Sequence, residues 1–220
     1  MDLRRRNLVA EQMDADDVDP RQLADALRYI RRINKLLRYN AAVIRRVELL
    51  ASATEPITLL DVATGSGDLL AQLGPRYRTV GLDRHTLTIR EAKQSVSRAI
   101  FIRGDALALP FADNSFDIVT SNLFLHHLPG PIVVAALREM ARVAQRGIVV
   151  ADLLRNRRAY AWITLFTLTA SPIVKHDARA SVAHAFTLDE ARNLFDQAGL
   201  ASAKLEVTFG HRFVATWKKP

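Results

Sequence analysis

Three carboxylates in this chain of 220 residues stand at or near the ends of apolar runs, and small residues beside them leave room for a ligand. The run Ile57–Leu70, ITLLDVATGSGDLL, carries Asp61 and turns through Gly65 and Gly67 before Leu69 and Leu70, which are expected to begin a helix. Glycine lets the backbone turn tightly and approach a ligand with no β-carbon in the way. A dinucleotide fingerprint needs a further small residue where Leu70 stands, and no Gly-Lys-Ser/Thr follows for a phosphate loop, so phosphate binding is disfavoured. The next run, 79–82, ends in Asp83, whose two oxygens suit the two hydroxyls of a ribose. A third, 99–103, leads to Asp105 and Ala106, an acceptor for an exocyclic amine beside a small apolar residue. Adenosine without a required phosphate fits these three ends.

The elements that must hold these residues alternate. Strands are predicted at 57–62, 77–82, 99–103, 115–120 and 147–151, with helices at 67–73, 85–96 and 132–145, the signature of a parallel sheet covered on both faces. Thr187–Glu190, TLDE, is a capping box for a helix closing near Gly199. Segments 205–209 and 211–217 flank Gly210 as a terminal antiparallel hairpin. Upstream, Asp19 and Pro20 form an N-cap and first helical position for a helix with Leu23, Leu27, Ile30, Ile33 and Leu37 at helical spacing, and a second helix is expected at about 41–51. Residues 1–19 are polar and expected to be loosely ordered.

With these motifs in this order, the segment from about Ile57 to Val150 resembles the class I S-adenosylmethionine-dependent methyltransferases. The loop DVATGSGD (61–68) and LPFADNSFD (109–117) are similar to the quinone-biosynthesis methyltransferases and related small-molecule enzymes; Ala63 in place of the loop's first glycine is a departure that group shares. Where the quinone enzymes follow the fourth strand with Phe-Gly-x-Arg-Asn, this chain reads SNLFLHHL (121–128), which sets quinone C-methylation itself apart.

The resemblance implies an α/β, Rossmann-like, seven-stranded fold, mostly parallel with a terminal antiparallel hairpin. Residues 1–52 would supply N-terminal lid helices, and 53–220 the methyltransferase domain with an apolar insertion at 155–186. It implies S-adenosyl-L-methionine as cofactor, held by Asp61, Ala63, Gly65, Gly67, Asp83, Arg84, Asp105, Ala106, Ser121 and Asn122. Asn34 and Arg38 on the lid would reach toward the methionine carboxylate. That the two helices merely pad one sheet face is the competing account.

Methyl transfer from a sulfonium is an in-line displacement, so the protein contributes mainly alignment, with a base only where the acceptor must lose a proton. Cofactor residues are therefore legible and acceptor residues are not. The apolar stretch 159–174, flanked by Arg155, Arg157, Arg158 and Lys175, is expected to wall the acceptor site with Tyr160, Trp162 and Phe166, implying a small apolar or aromatic acceptor, with oxygen the first target and carbon the second. A buried helix or shallow peripheral membrane contact would also account for it, but Ser171-Pro172 leaves it too broken to span a bilayer. His176 and His127 are the candidate bases, with His184 a runner-up. His126 and His127 have a structural or cofactor-side reading too; Asp68 is expected to begin a helix, and Asp152 and Arg155 either touch substrate or lie on the surface.

Composition bounds the rest. With 49% hydrophobic residues the chain can bury one substantial core. The absence of cysteine excludes disulfides, thiolate metal sites and a cysteine nucleophile, and no metal site is expected. No apolar run near Arg4, Arg5 and Arg6 suits a signal peptide, since only Leu8, Val9 and Ala10 precede Glu11, so a cytoplasmic location and a monomer or homodimer are expected. A net charge of +8 keeps a nucleic-acid methyltransferase or a non-catalytic cofactor-binding protein in view. Against nucleic acid, no Asn/Asp-Pro-Pro-Tyr/Phe follows the fourth strand, and the basic residues lack interleaved aromatics; small-molecule methylation, as in secondary metabolism, leads.

Overall fold

The computed structural model describes residues 3–8, 11–15, 18–51 and 56–220. Val9, Ala10 and the boundary expected at 52/53 lie outside the described residues. Seven strands form one sheet: β1 (Ile57–Val62), β2 (Tyr77–Asp83), β3 (Ile100–Arg103), β4 (Phe116–Asn122), β5 (Ala144–Leu153), β6 (Lys204–Thr208) and β7 (Arg212–Lys218). Their order is β3-β2-β1-β4-β5-β7-β6. The first five run parallel, and β7 pairs antiparallel with both β5 and β6, as the sequence predicts. The chain leaves β1 first toward β2 and later toward β4, so the order reverses between β1 and β4. A crevice opens there, at the carboxyl ends of both strands.

Period-two alternation splits the sheet into two cores. Leu60, Val62, Val119, Ile148 and Val150 face α4 (Gly130–Val143) and α7 (Leu188–Gln197) through Val133, Leu137, Met140 and Phe195. Ile57, Leu59, Ile118, Val149 and Val214 face α2 (Tyr39–Leu50) and α3 (Thr86–Ser95) through Val43, Val47, Ile89 and Ala92. Both hydrogen bonds of the capping box at Thr187 and Glu190 are present, and the Asp19 side chain accepts from the amides of Arg21 and Gln22 to open α1 (Pro20–Leu36).

Several expectations change. The helix expected at 67–73 is a single 3-10 turn, Leu70–Gln72. Gly67 has a left-handed φ of 77°, and Gly74-Pro75 stops the chain seven residues later, too short a stretch to repay helix nucleation. Of the segment expected to be loose, described residues are anchored: Arg6 donates to the carbonyls of His126 (2.9 Å), Leu128 (3.0 Å) and His184, and Glu11 is buried. The apolar insertion is two helices, α5 (Arg157–Phe166) and α6 (Pro172–His184), with Ser171 and Pro172 as N-cap and first residue of the second. Among the described residues no helix is long and apolar enough to cross a membrane.

Candidate active site

A cavity of about 840 Å³ lies over the β1/β4 crevice. Asp61, Ala63, Thr64 and Gly65 form its floor, the tips of β2 and β3 supply Asp83, Arg84, Asp105 and Ala106, and β4 supplies Asn122. The two N-terminal helices stand differently to the cavity. α1 lines the cavity with Leu23, Leu27, Ile30, Ile33 and Asn34, whereas α2 buries Val43 and Val47 against the sheet and offers only Tyr39 and Asn40 to the cavity. Arg31 ties the cover down, donating to the Asp68 carboxylate at 2.8 Å and to the carbonyl of Ser66. Arg38, expected to reach the cofactor, instead makes the left-handed joint between α1 and α2 at φ 51°.

The loop after β1 is wired to the strands beside it. Asp61 is buried, accepting from the hydroxyls of Thr64 and Thr120, each at 2.8 Å; burial pushes its carboxyl up to about 6. Asp83 takes the Gly65 amide on Oδ2 at 3.0 Å and the His85 amide on Oδ1 at 2.9 Å. Gly65 faces open space, with nothing within 4 Å of a built Cβ, whereas Gly67 packs against Phe101 and Val96 and serves the turn. Ser121 is corrected as well: it is fully buried, and its hydroxyl donates to the Val62 carbonyl at 2.9 Å, holding β4 to β1.

Tyr160, Trp162 and Phe166, the aromatics expected to wall the acceptor site, do not line the cavity. Ile163 and Thr167 face the cavity, four residues apart on one helical stripe. Trp162 instead donates to the Tyr39 hydroxyl at 2.8 Å and stacks with Phe166 and Phe209; Tyr160 joins Leu153, Ala159 and Val182 in a small core. Apolar residues on more than one side of α5 hid from the sequence which of them turn to the cavity. His176 is also outside the cavity, its ring partly exposed and its Nδ1 2.8 Å from Asp177 Oδ1.

Other groups take those places. His126 and His127 stack at 4.2 Å between ring centroids and line the cavity with Glu11. Asp152, fully buried, accepts from the His126 amide and lies 2.6 Å from His126 Nδ1; burial would raise its carboxyl, but His126 and the Leu153 amide hold it below the usual range. Burial likewise pushes the Glu11 carboxyl up, and His184, His127, His126 and the Ser181 hydroxyl more than offset it. Arg212 lines the cavity with its guanidinium 3.7 Å from the Tyr39 ring centroid, and burial lowers it to about 10, so it stays cationic at neutral pH. Glu11 and Arg212 carry no sequence signal, the one a lone acid after Leu8-Val9-Ala10 and the other the first residue of β7.

Residues 60–151, the floor and strand tips of this cavity, match the methyltransferase domain family. Over that stretch the chain is similar to methyltransferase domains. Its residues are 45% identical over 100 positions to a demethylmenaquinone methyltransferase of Roseiflexus castenholzii, covering 43% of this chain and 41% of that one. The chain thus spans about two fifths of the length of such curated relatives. The fold is that of an S-adenosylmethionine-dependent methyltransferase from Aquifex aeolicus (TM-score 0.63, 18% identity, 91% of this chain and 98% of that one). It is also that of a magnesium protoporphyrin IX methyltransferase from Synechocystis solved with bound S-adenosylhomocysteine (TM-score 0.59, 18% identity, 86% and 87%).

The methyltransferase domain fits S-adenosylmethionine on its own chemistry. Open space over Gly65 lies beside the Asp83 and Asp105 acceptors. Farther along the same cavity, Asn122 Oδ1 and Asn40 Nδ2 are buried with no hydrogen-bond partner among the described residues, a free acceptor and donor for the amino-acid end of such a ligand.

Proposed function

We propose that the chain transfers a methyl group from S-adenosylmethionine to a small, largely apolar or aromatic acceptor, at oxygen first and carbon second. The reading rests on one observation: a single cavity joins the nucleoside-type acceptors at the strand tips to an apolar chamber under α1 and α5. The bound cofactor supplies an electrophilic methyl on a cationic sulfur. Asp83 and Asp105 orient its adenosine, and Asn40 and Asn122 hold its amino-acid end. Leu23, Leu27, Ile30 and Ile163 exclude water and align an apolar acceptor, which supplies most of the rate in an in-line displacement. Arg212 places a fixed positive charge in the chamber, which favours an acceptor bearing a phenolate or carboxylate oxygen. His127, which lines the same cavity, is the candidate base for that oxygen's proton. The similarity to a demethylmenaquinone methyltransferase supports a small ring acceptor.

Titration calorimetry with S-adenosylmethionine and S-adenosylhomocysteine, followed by transfer of a labelled methyl to a panel of phenols, hydroxybenzoates and quinols, tests this. Affinity for donor and thioether with turnover on at least one oxygen acceptor is expected. Absence of affinity for both overturns it.

A further inference from the structure

At the acceptor end of the cavity a single carboxylate sits among three imidazoles. Glu11 Oε1 lies 3.9 Å from His126 Nε2 and 3.4 Å from His184 Nδ1, and Glu11 Oε2 lies 3.8 Å from His127 Nδ1. One ligand atom each from Glu11, His126 and His127 lies within 4.8 Å of the others. A tetrahedral ion with bonds of about 2.0–2.1 Å sets its ligand atoms about 3.4 Å apart, so a small contraction suffices.

Two further observations point to a ligand. The His184 side chain is 5% exposed; its Nδ1 is turned to Glu11 Oε1, and its Nε2 has no hydrogen-bond partner among the described residues. Buried imidazoles are seldom left so, and a bound ion would satisfy this one. Behind the cluster, Asp152 engages His126 Nδ1 at 2.6 Å and so directs the other ring nitrogen, Nε2, toward Glu11, the carboxylate–histidine arrangement that orients metal-bound imidazoles. The Ser181 hydroxyl fixes Glu11 Oε1 at 2.7 Å, and Arg6 braces the carbonyls of His126 and His184.

We propose that Glu11, His126, His127 and His184 form a binding site for one divalent transition-metal ion at the acceptor end of the cavity. Imidazole nitrogens with one carboxylate and no thiolate select ions of the zinc, cobalt or iron(II) type over calcium or magnesium. Because Glu11, His126 and His127 line the cavity, the ion faces the acceptor chamber and can take an acceptor oxygen in a remaining position. That last role rests on the methyl-transfer reading; the site itself does not.

Untagged full-length protein is titrated with cobalt(II), read by its visible absorption bands, and loaded with zinc(II), read as metal content after gel filtration. One ion per chain is expected, with affinity falling at least tenfold in Glu11→Gln, in His127→Gln and in His184→Ala. Circular dichroism confirms that each variant is folded, and donor affinity is measured in parallel, so loss of the cofactor reading is seen separately. No bound ion, or equal binding by parent and all three folded variants, overturns the proposal.

Discussion

Arg31 of α1 donates to the Asp68 carboxylate at 2.8 Å, so the helix that roofs the cavity is fastened to the loop that floors it. Neither residue needs to touch a ligand to matter, because the pair sets how tightly cover and floor close on whatever lies between them.

Arg31→Ala is therefore expected to weaken donor binding. A partly exposed ion pair contributes on the order of 1 kcal/mol or less, which predicts a loss of up to about fivefold in affinity by calorimetry. An affinity equal to the parent's would detach α1 from the cofactor site.

Asp83 carries a larger share. Asp83→Ala removes the acceptor for the Gly65 and His85 amides and for the ribose together, and hydrogen bonds to a charged acceptor contribute roughly 1.5–3 kcal/mol each. Donor affinity should fall at least tenfold, with Asp83→Asn intermediate. Unchanged affinity in the alanine variant would remove Asp83 from the site.

Asp61 predicts a pH effect of definite sign. Its folded pKa of about 6 exceeds the model-peptide value of 3.8, so the native state binds the extra proton between those limits. The contribution is favourable below about pH 4 and is lost as pH rises through 6, a swing of about 3 kcal/mol. The stability of Asp61→Asn relative to the parent should rise between pH 4 and pH 7 in urea unfolding. A constant difference between the two proteins would contradict the assignment.

Arg155 is buried and donates to both oxygens of Glu190, at 2.9 and 2.7 Å, and to the Ala185 carbonyl. Glu190→Ala would leave this guanidinium only the Leu3 and Ala185 carbonyls and remove half the capping box, and with the Glu190 side chain 43% exposed the cost should be about 1–3 kcal/mol. Asp189→Asn, on an exposed side chain of the same helical turn, should cost under about 0.5 kcal/mol. Thermal unfolding of the two variants separates them, and similar midpoints would count against the buried pair.

The face of α5 can be read directly. Ile163→Trp should fill the chamber and abolish turnover while donor affinity persists, whereas Trp162→Ala should lower the melting temperature with acceptor preference retained. The reverse pattern would restore Trp162 to the acceptor wall.

Local signals made much of this protein legible from its amino acids. Strand–helix alternation, the Asp19-Pro20 start, the Thr187–Glu190 box and the carboxylates at Asp61, Asp83 and Asp105 each depend on neighbours a few residues away, and apart from the helix expected at 67–73 they stand where the sequence puts them. The order of strand tips follows from the same alternation, because parallel strands joined by crossovers bring their carboxyl ends to one edge. Tertiary structure alone decided the acceptor end. Glu11 meets Ser181 across 170 positions, Arg6 reaches His184 across 178, and Arg212 enters the chamber from the last strand. Which face of a helix apolar on more than one side turns inward, and which lone polar residues meet, is fixed by packing between distant segments, and no spacing within one segment encodes it.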